Sequence, residues 1–417
     1  MTQSWLILAD DLTGAADCAI AFARRGRRAV VSWGEVESGW RPADVVAYDT
    51  ASRGLPPERA AQAHRQMLGR LSGPDRTLFK KIDSTLRGEP AIETAVTAEF
   101  LRAQTGMAFG VFAPAFPSTG RTTIDGHVHV AGRPLEEAEV WRRDHTYASA
   151  DLVEVLASAD VVAERVPLAI IRRGSAALRA AFAAIKAHQA TVAVCDAETD
   201  QDLHLIAEAS LPGTPGDFFI GSAGLAHALA ARVPGHAVAT PSVTDGRQGA
   251  LIVVGSLAAT SRSGARKLVA GGEVVHVPVT PDILLSDAED RTELGHEVAR
   301  LLDADADVLV EIQMGPSPDM SLGPRLAAGL AAALEPAADR MSAFAATGGE
   351  TAAALLSRFG VNGIELIDEI EPGVALGFSL GRLSIPVVTK AGAFGDENSL
   401  GRIAARLRAI RKSGIST

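Results

Sequence analysis

The sequence predicts an α/β fold built as two α/β domains, each with a mainly parallel sheet flanked by helices and with the active site in the cleft between them. Short apolar runs that end at glycine- or aspartate-bearing turns alternate with helix-forming stretches along the chain, the pattern of strand–turn–helix units. The 417 residues exceed one typical core and suit two of roughly 150 to 250 residues each. Periodicity lapses through Pro234-Gly235, Thr240-Pro241 and Asp245-Gly246, so the linker is expected there and the domains are drawn as residues 1–240 and 241–417.

The first strand, Leu6 to Ala9, is too short for a helix and ends at Asp10-Asp11. Thr13-Gly14 follows as an N-cap candidate and a close-approach glycine, and the helix from Ala15 to Arg25 stops at Gly26. Ligands of open parallel sheets bind beyond the carboxyl ends of the strands, which puts Asp10 and Asp11 at the rim of such a crevice. One of them can take a proton from a hydroxyl; the plainer alternative is that one caps the turn and the other faces water. Ala29 to Trp33 and Val45 to Tyr48 read as further strands, and Pro56-Pro57 opens a helix to about Leu71.

Thr77 to Lys81 is the next strand, running into Lys80-Lys81-Ile82-Asp83-Ser84-Thr85-Leu86-Arg87-Gly88. A polyhydroxylated acid suits this loop. Arg87 can grip a carboxylate bidentately, Ser84 and Thr85 can meet hydroxyls, and Asp83 can accept from them. Phe109 to Ala113 leads into a loop fixed by prolines and glycines that carries Arg121. His127 and His129 alternate on one strand, but no third ligand is evident and no metal site is assigned. Residues 136–160 read as polar and helical, Val161 and Pro167 to Ile171 as strand, Leu178 to His188 as helix, Val192 to Cys195 as strand, and Phe218 to Leu225 as a strand entering a helix.

The second half restarts the alternation with Ala250 to Val254, followed by Gly255-Ser256 and a helix. Leu309 to Ile312 is a strand, Ala343 to Ala346 leads into Thr347-Gly348-Gly349-Glu350-Thr351 and a helix to about Phe359, and Pro386 to Thr389 leads into Lys390-Ala391-Gly392-Ala393-Phe394-Gly395 and a closing helix. Glycine turns opening helices expose backbone N–H groups on which a phosphate chain can lie. Neither a Walker signature nor a Gly-x-Gly-x-x-Gly fingerprint is present, so these turns favour a nucleotide only taken together.

Composition narrows the function classes. A formal net charge of −10 argues against a nucleic-acid partner, and any anionic ligand must be held locally. Cys18 and Cys195 are the only cysteines, which suits small buried hydrophobes in a reducing compartment. No apolar run approaches the roughly 18 to 20 residues that span a bilayer, and no export signal is evident, so a cytoplasmic protein without membrane partners is expected. Oligomeric state stays open, and a homodimer is compatible with the sequence.

Leu8-Ala-Asp-Asp-Leu-Thr-Gly-Ala15, Lys81-Ile-Asp-Ser-Thr-Leu-Arg-Gly88, Pro114 to Thr122 with Asp125-Gly126, Thr347-Gly-Gly-Glu-Thr351 and Lys390-Ala-Gly-Ala-Phe-Gly395 together resemble the four-carbon acid sugar kinases, in matching order from the first strand to the last helix. The resemblance implies an N-terminal domain binding threonate, erythronate or 3-oxotetronate and a C-terminal domain binding ATP, with a 4-phospho acid as product. It places Asp10, Asp11, Lys81, Asp83, Ser84, Arg87 and Arg121 in substrate motifs, and Ser256, Gly348, Gly349, Glu350, Thr351 and Gly392 in nucleotide motifs. Glu89 stands where the family often has Asn.

Sugar phosphorylation is mainly positioning and charge stabilisation, which needs phosphate cradles, Mg²⁺ and a base for the hydroxyl. Asp11, or else Asp10, is expected to take the proton, Arg87 and Lys81 to hold the carboxylate and nearby hydroxyls, and Lys390 with the Gly348-Gly349 turn to steady the ATP phosphates. Domain closure is expected to exclude water. A non-catalytic sugar-acid and nucleotide sensor is the alternative on the same fold; a dinucleotide oxidoreductase lacks its fingerprint.

Overall fold

Strand β1 (Ser4–Ala9) is buried along Trp5 to Ala9, as an uninterrupted apolar run demands of a strand covered on both faces. The computed structural model describes residues 4–34, 43–235, 249–286, 288–315, 319, 322–392 and 394–413. These divide into two compact units, one from the residues up to 29 and residues 43–235, the other from residues 30–34 and 249–413. The linker expected near residue 240 lies outside the described residues. Among the described residues no helix is long and apolar enough to cross a membrane.

The further strands of the chain's first half are β2 (Ala29–Trp33), β3 (Val45–Asp49), β4 (Arg76–Lys81), β5 (Phe109–Ala113), β6 (Arg121–Ile124), β7 (His127–Val130), β8 (Arg133–Pro134), β9 (Ala163–Val166), β10 (Val192–Cys195) and β11 (Asp217–Gly221). In the first unit they form a parallel sheet in the order β3-β1-β4-β11-β5-β10-β9 and a small antiparallel sheet β6-β7-β8. Register fixes the site. Ala9 pairs with Asp49, Leu8 with Lys80, and Lys81 with Gly221, so the segments that follow β1, β3 and β4 leave the sheet side by side. Trp5 anchors the core against Phe22 and Phe219 at ring-centroid distances of 4.9 and 5.7 Å. Burying a side chain of this size contributes roughly 1.5–3 kcal/mol.

The second half supplies β12 (Ala250–Val254), β13 (Val275–Val279), β14 (Val308–Ile312), β15 (Ala343–Thr347), β16 (Val361–Glu371), β17 (Val374–Gly381) and β18 (Pro386–Lys390). The order β13-β14-β12-β15-β18 is parallel. Beyond β18 the sheet turns antiparallel through β17, β16 and β2.

Four expectations change. β2 was counted with the first domain, but from Val30 onward it runs antiparallel to β16, Ser32 opposite Gly363, and Trp33 Nε1 donates to Ser357 Oγ at 2.7 Å. The long hairpin β16–β17 had no sequence counterpart, because its alternation is broken by irregularities near Asn362, Ile367 and Ile370. Pro167 to Ile171 is not a strand: the strand ends at Val166 and Leu168–Ile171 is helical, with Pro167 at the N-cap position. The helix expected over 136–160 is confined to Glu139–Arg143 and Leu152–Ala157, after a 3₁₀ turn at Leu135–Glu137, because residues 144–151 run through bends to a bridge between Asp151 and His127.

Candidate active site

The turn after β1 enters helix α1 (Leu12–Ala23) three residues before the Ala15 start that the sequence suggests, and Asp11, not Thr13, is its N-cap. Asp11 Oδ1 accepts the Gly14 N–H at 3.0 Å, and the Thr13 hydroxyl donates to Asp11 Oδ2 at 2.6 Å. The carboxylate expected from the sequence to take the proton is thus also the helix cap. Asp10 does not face water: it is 3 % exposed. Its two oxygens accept from Arg53, Oδ2 from Nε at 2.7 Å and Oδ1 from Nη2 at 2.9 Å, and the same Nη2 donates to Asp11 Oδ1 at 2.8 Å.

Arg53 is the residue that the sequence reading missed. It lies in the segment after β3, where no motif stands out, and the available signal was positional: that segment leaves the sheet at the same end as Asp10 and Lys81. The segment after β4 adds a second fork. Arg87 donates from Nε to Asp83 Oδ2 at 2.9 Å and from Nη2 to Asp83 Oδ1 at 3.0 Å, leaving Nη1 as the end not used by Asp83. Arg53 Nη2 is 3.9 Å from Asp83 Oδ1, so both guanidiniums flank this carboxylate. Ser84 is buried in the same turn. Leu86 at φ +60° and Gly88 at φ +79° close it, and a Cβ at Gly88 would lie 2.9 Å from Asp10 Oδ2.

Lys81 completes the cluster. A Cβ at Gly14 would lie 2.6 Å from Lys81 Nζ and 2.5 Å from Asp11 Oδ1, so ammonium and carboxylate close on the space that the glycine leaves. Burial opposes the Lys81 charge, but Cys18, Asp11 and Asp10 outweigh it and hold its pKa above the ordinary lysine value. Burial likewise pushes Asp11 up, yet Arg53, Lys81 and the Thr13 hydroxyl hold it below the ordinary aspartate value. Against the same burial, Arg87 and Arg53 hold Asp83 well below it. Asp49, at the end of β3, goes the other way: burial and the neighbouring Asp11 raise its pKa to about 7. Arg121 opens β6, gives an N–H to the Thr119 carbonyl, and has its pKa lowered by burial while Asp83 works against that. His127 Nε2 is spent on Glu136, at 2.9 Å from Oε1.

In the second unit the predicted residues meet at the ends of β12, β15 and β18, where Val254 pairs with Thr347 and Thr347 with Lys390. The Ser256 N–H donates to Thr347 Oγ1 at 3.3 Å, and the Gly348 N–H to the Lys390 carbonyl at 3.0 Å. Gly348 has φ +92° and caps the helix Gly349–Arg358, whose first-turn N–H groups at Gly349, Glu350 and Thr351 have no intrahelical acceptor. A Cβ at Gly392 would collide with Ser256 Oγ, and one at Gly255 with Thr351 Oγ1. Such bare turns at a helix N-terminus are what a phosphate chain requires.

Lys390 is fully buried, and its Nζ lies 3.2 Å from the Ala391 carbonyl, 3.4 Å from that of Gly392 and 3.5 Å from Ser261 Oγ. It thus braces the turn bearing Gly392. Burial lowers its pKa to about 8, against the pull of Glu371 and Asp396. Partial desolvation also raises the pKa of Glu350, at the start of the helix Gly349–Arg358. Among the described residues no group of three or more His, Cys, Asp and Glu side chains is arranged to hold a metal ion.

Residues 5–229 match the family model described as a sugar-binding N-terminal domain, and residues 251–400 that of a nucleotide-binding C-terminal domain. A D-threonate kinase of Cupriavidus necator is 41% identical over 95% of this chain and 96% of its own length. A D-erythronate kinase of Heliobacterium modesticaldum is 30% identical over 94% of each chain. A solved protein of Salmonella typhimurium LT2 shares the fold with a TM-score of 0.80 at 21% identity, covering 97% of this chain and 100% of that one.

Proposed function

The chain belongs to the four-carbon acid sugar kinase family, and on that premise we propose its reaction: transfer of the γ-phosphoryl group of ATP to the terminal hydroxyl of a four-carbon sugar acid, with D-threonate as the acid. The carrying observation is the cluster at the ends of β1, β3 and β4. There Arg53, Lys81 and Arg87 stand among Asp10, Asp11 and Asp83 in the unit that matches the sugar-binding model. Identity of 41% to a D-threonate kinase supports that acid over its relatives.

Arg87, held side-on by Asp83, offers its remaining Nη1 to the substrate carboxylate. Lys81, Ser84 and Arg121 meet the carboxylate or the hydroxyls. Asp11 accepts the proton of the attacking hydroxyl, with Asp10 as the other carboxylate of the pair. A carboxylate held below its ordinary pKa is a weak base, which suits phosphoryl transfer, where the transition state is loose and the hydroxyl becomes strongly acidic only as the new bond forms.

In the second unit the turns of Ser256, Gly348-Gly349 and Gly392 receive the phosphates of ATP. The free N–H groups of Gly349, Glu350 and Thr351 and the helix dipole supply the charge complement, and Lys390 braces the turn. Mg²⁺ supplies neutralisation of the phosphate oxygens when bound. Among the described residues no group of three or more His, Cys, Asp and Glu side chains is arranged to hold it, and no residue of this chain is assigned to it.

The test is an ADP-release assay with purified protein, ATP, and D- and L-threonate, D- and L-erythronate and the 3-oxo acids. The highest kcat/KM with D-threonate is expected. Turnover of another acid in the panel corrects the substrate alone. Binding of acid and nucleotide without ADP release supports the non-catalytic sensor.

A further inference from the structure

The segment after β3 is built more firmly than a surface connection needs. Thr50 Oγ1 donates to the Ala9 carbonyl at 2.8 Å and lies 2.8 Å from Ser52 Oγ. Ser52 in turn donates to Glu93 Oε1, and Glu93 Oε2 pairs with Lys80 Nζ at 2.5 Å, both side chains about 1% exposed. Asp49 Oδ1 accepts the Ala51 N–H at 2.7 Å, holding Ala51 at φ +52°, a conformation that costs a non-glycine residue of order 1 kcal/mol or more. The Arg53 N–H donates to the Asp10 carbonyl at 3.2 Å. Every one of these anchors fixes the start of the Arg53 side chain.

We propose that Arg53 is a positioning residue for the reaction: it grips Asp10 side-on and caps Asp11 Oδ1, thereby aiming Asp11 Oδ2 at the substrate hydroxyl. A carboxylate has about four acceptor positions. At Asp11 the Gly14 N–H and Arg53 Nη2 take those of Oδ1, and the Thr13 hydroxyl takes one on Oδ2. One position on Oδ2 is left for the proton of the attacking hydroxyl. Arg53 works through Asp11 and does not itself hold the acid. The inference rests on the reading of Asp11 as the base.

Removing the guanidinium also changes the field at Asp11. The charged and titratable groups around that carboxylate are Asp10 beside it, Cys18 on α1, Asp49 and Arg53 at and after the end of β3, and Lys81, Asp83 and Arg87 at and after the end of β4. Of the two cations that lower the Asp11 pKa, Arg53 acts more strongly than Lys81.

The experiment uses the full chain with Arg53→Gln and Arg53→Lys, each alone and combined with Asp11→Asn, measuring kcat, both KM values, the pH profile and thermal unfolding. Misplacing a reacting group by about 1 Å costs on the order of 10²-fold, so Arg53→Gln is expected to lower kcat by about that factor. KM for acid and ATP should stay within about threefold, and the acid limb of kcat/KM should move to higher pH. Arg53→Lys keeps the charge but loses the fork, so it should recover little of kcat; if the Gln variant does not fold, the Lys variant decides. In the Asp11→Asn background either change should cost less than about threefold more.

A raised KM for the acid with kcat preserved makes Arg53 a direct ligand and overturns the proposal. So does a kcat loss of the same size in the Asp11→Asn background, or a loss that follows the unfolding temperature with the acid limb unmoved. Failure of the base reading shows separately, as near-normal turnover of Asp11→Asn alone.

Discussion

The first unit surrounds its candidate site with buried charge, whereas the second builds its own from the near-absence of side chains. At the ends of β1, β3 and β4, guanidinium forks lock onto Asp10 and Asp83, with Lys81 against Asp11. At the ends of β12, β15 and β18, glycine turns, hydroxyls and a helix N-terminus meet around one buried lysine. On the proposed function the difference follows the ligands. A sugar acid differs from its stereoisomers by the direction of one hydroxyl, so its site needs rigid, directional donors and acceptors. A phosphate chain asks for many N–H groups and a positive dipole, which backbone supplies without adding cations to a chain of net charge −10. The first site should therefore fail when a charge is removed, and the second when a methyl group is added.

The largest effect tests the charged side. Asp11→Asn keeps the helix cap, since Asn is as good an N-cap as Asp, but removes the proton acceptor. Turnover should fall by about 10²- to 10⁴-fold with little change in ATP affinity, measured by steady-state kinetics and nucleotide titration. Near-normal turnover would pass the role to Asp10.

Next in size is binding at the same cluster. Arg87→Lys retains a cation beside Asp83 but loses the fork, and should raise KM for the sugar acid by about tenfold or more while leaving KM for ATP within about twofold. An equal rise in both constants would erase the contrast between the units.

The second unit should show the converse. In Gly392→Ala the new Cβ collides with Ser256 Oγ, so the turn must shift, and KM for ATP should rise by roughly tenfold with KM for the acid unchanged. Insensitivity to that methyl group would mean that the phosphates lie elsewhere.

How far the sequence led depends on how local each signal was. The strands β1, β5, β10, β12 and β18 were legible because each is a short apolar run closed by turn residues, and helix Pro57–Leu71 because proline opens it. That Asp10, Asp11, Lys81, Asp83 and Arg87 lie together was legible because each sits at or just after the end of a strand. Arg53 was not, because its significance lies in contacts with residues 42 and 43 positions away. The same holds for β2, whose partner β16 is more than 300 residues further along the chain, a pairing that no local pattern encodes. The cap was legible only as alternatives, Thr13 or one of the two aspartates, because adjacent residues of the same capping chemistry differ only in backbone conformation.

The smallest effect separates the units by the sign of their pH dependence. Asp49 in the first unit has its pKa raised to about 7, and Lys390 in the second has its pKa lowered to about 8, both chiefly by burial. Stability rises with pH wherever the unfolded chain binds more protons than the native one. Between the unfolded value of 3.8 and about 7, native Asp49 keeps a proton that the unfolded chain has lost, so stability falls as pH rises. Between about 8 and 10.5, unfolded Lys390 keeps a proton that the native protein has lost, so stability rises with pH. Asp49→Asn preserves the acceptor for the Ala51 N–H and cannot ionise; it should therefore remove the first slope and gain about 2–4 °C in unfolding temperature at pH 8 for each kcal/mol recovered. Lys390→Met should lose stability at every pH, because the Ala391 and Gly392 carbonyls lose their donor, yet it should flatten the second slope. Thermal unfolding of the unliganded protein and both variants from pH 4 to 10 reads the two slopes separately. A wild-type slope retained in either variant would remove that residue as its source.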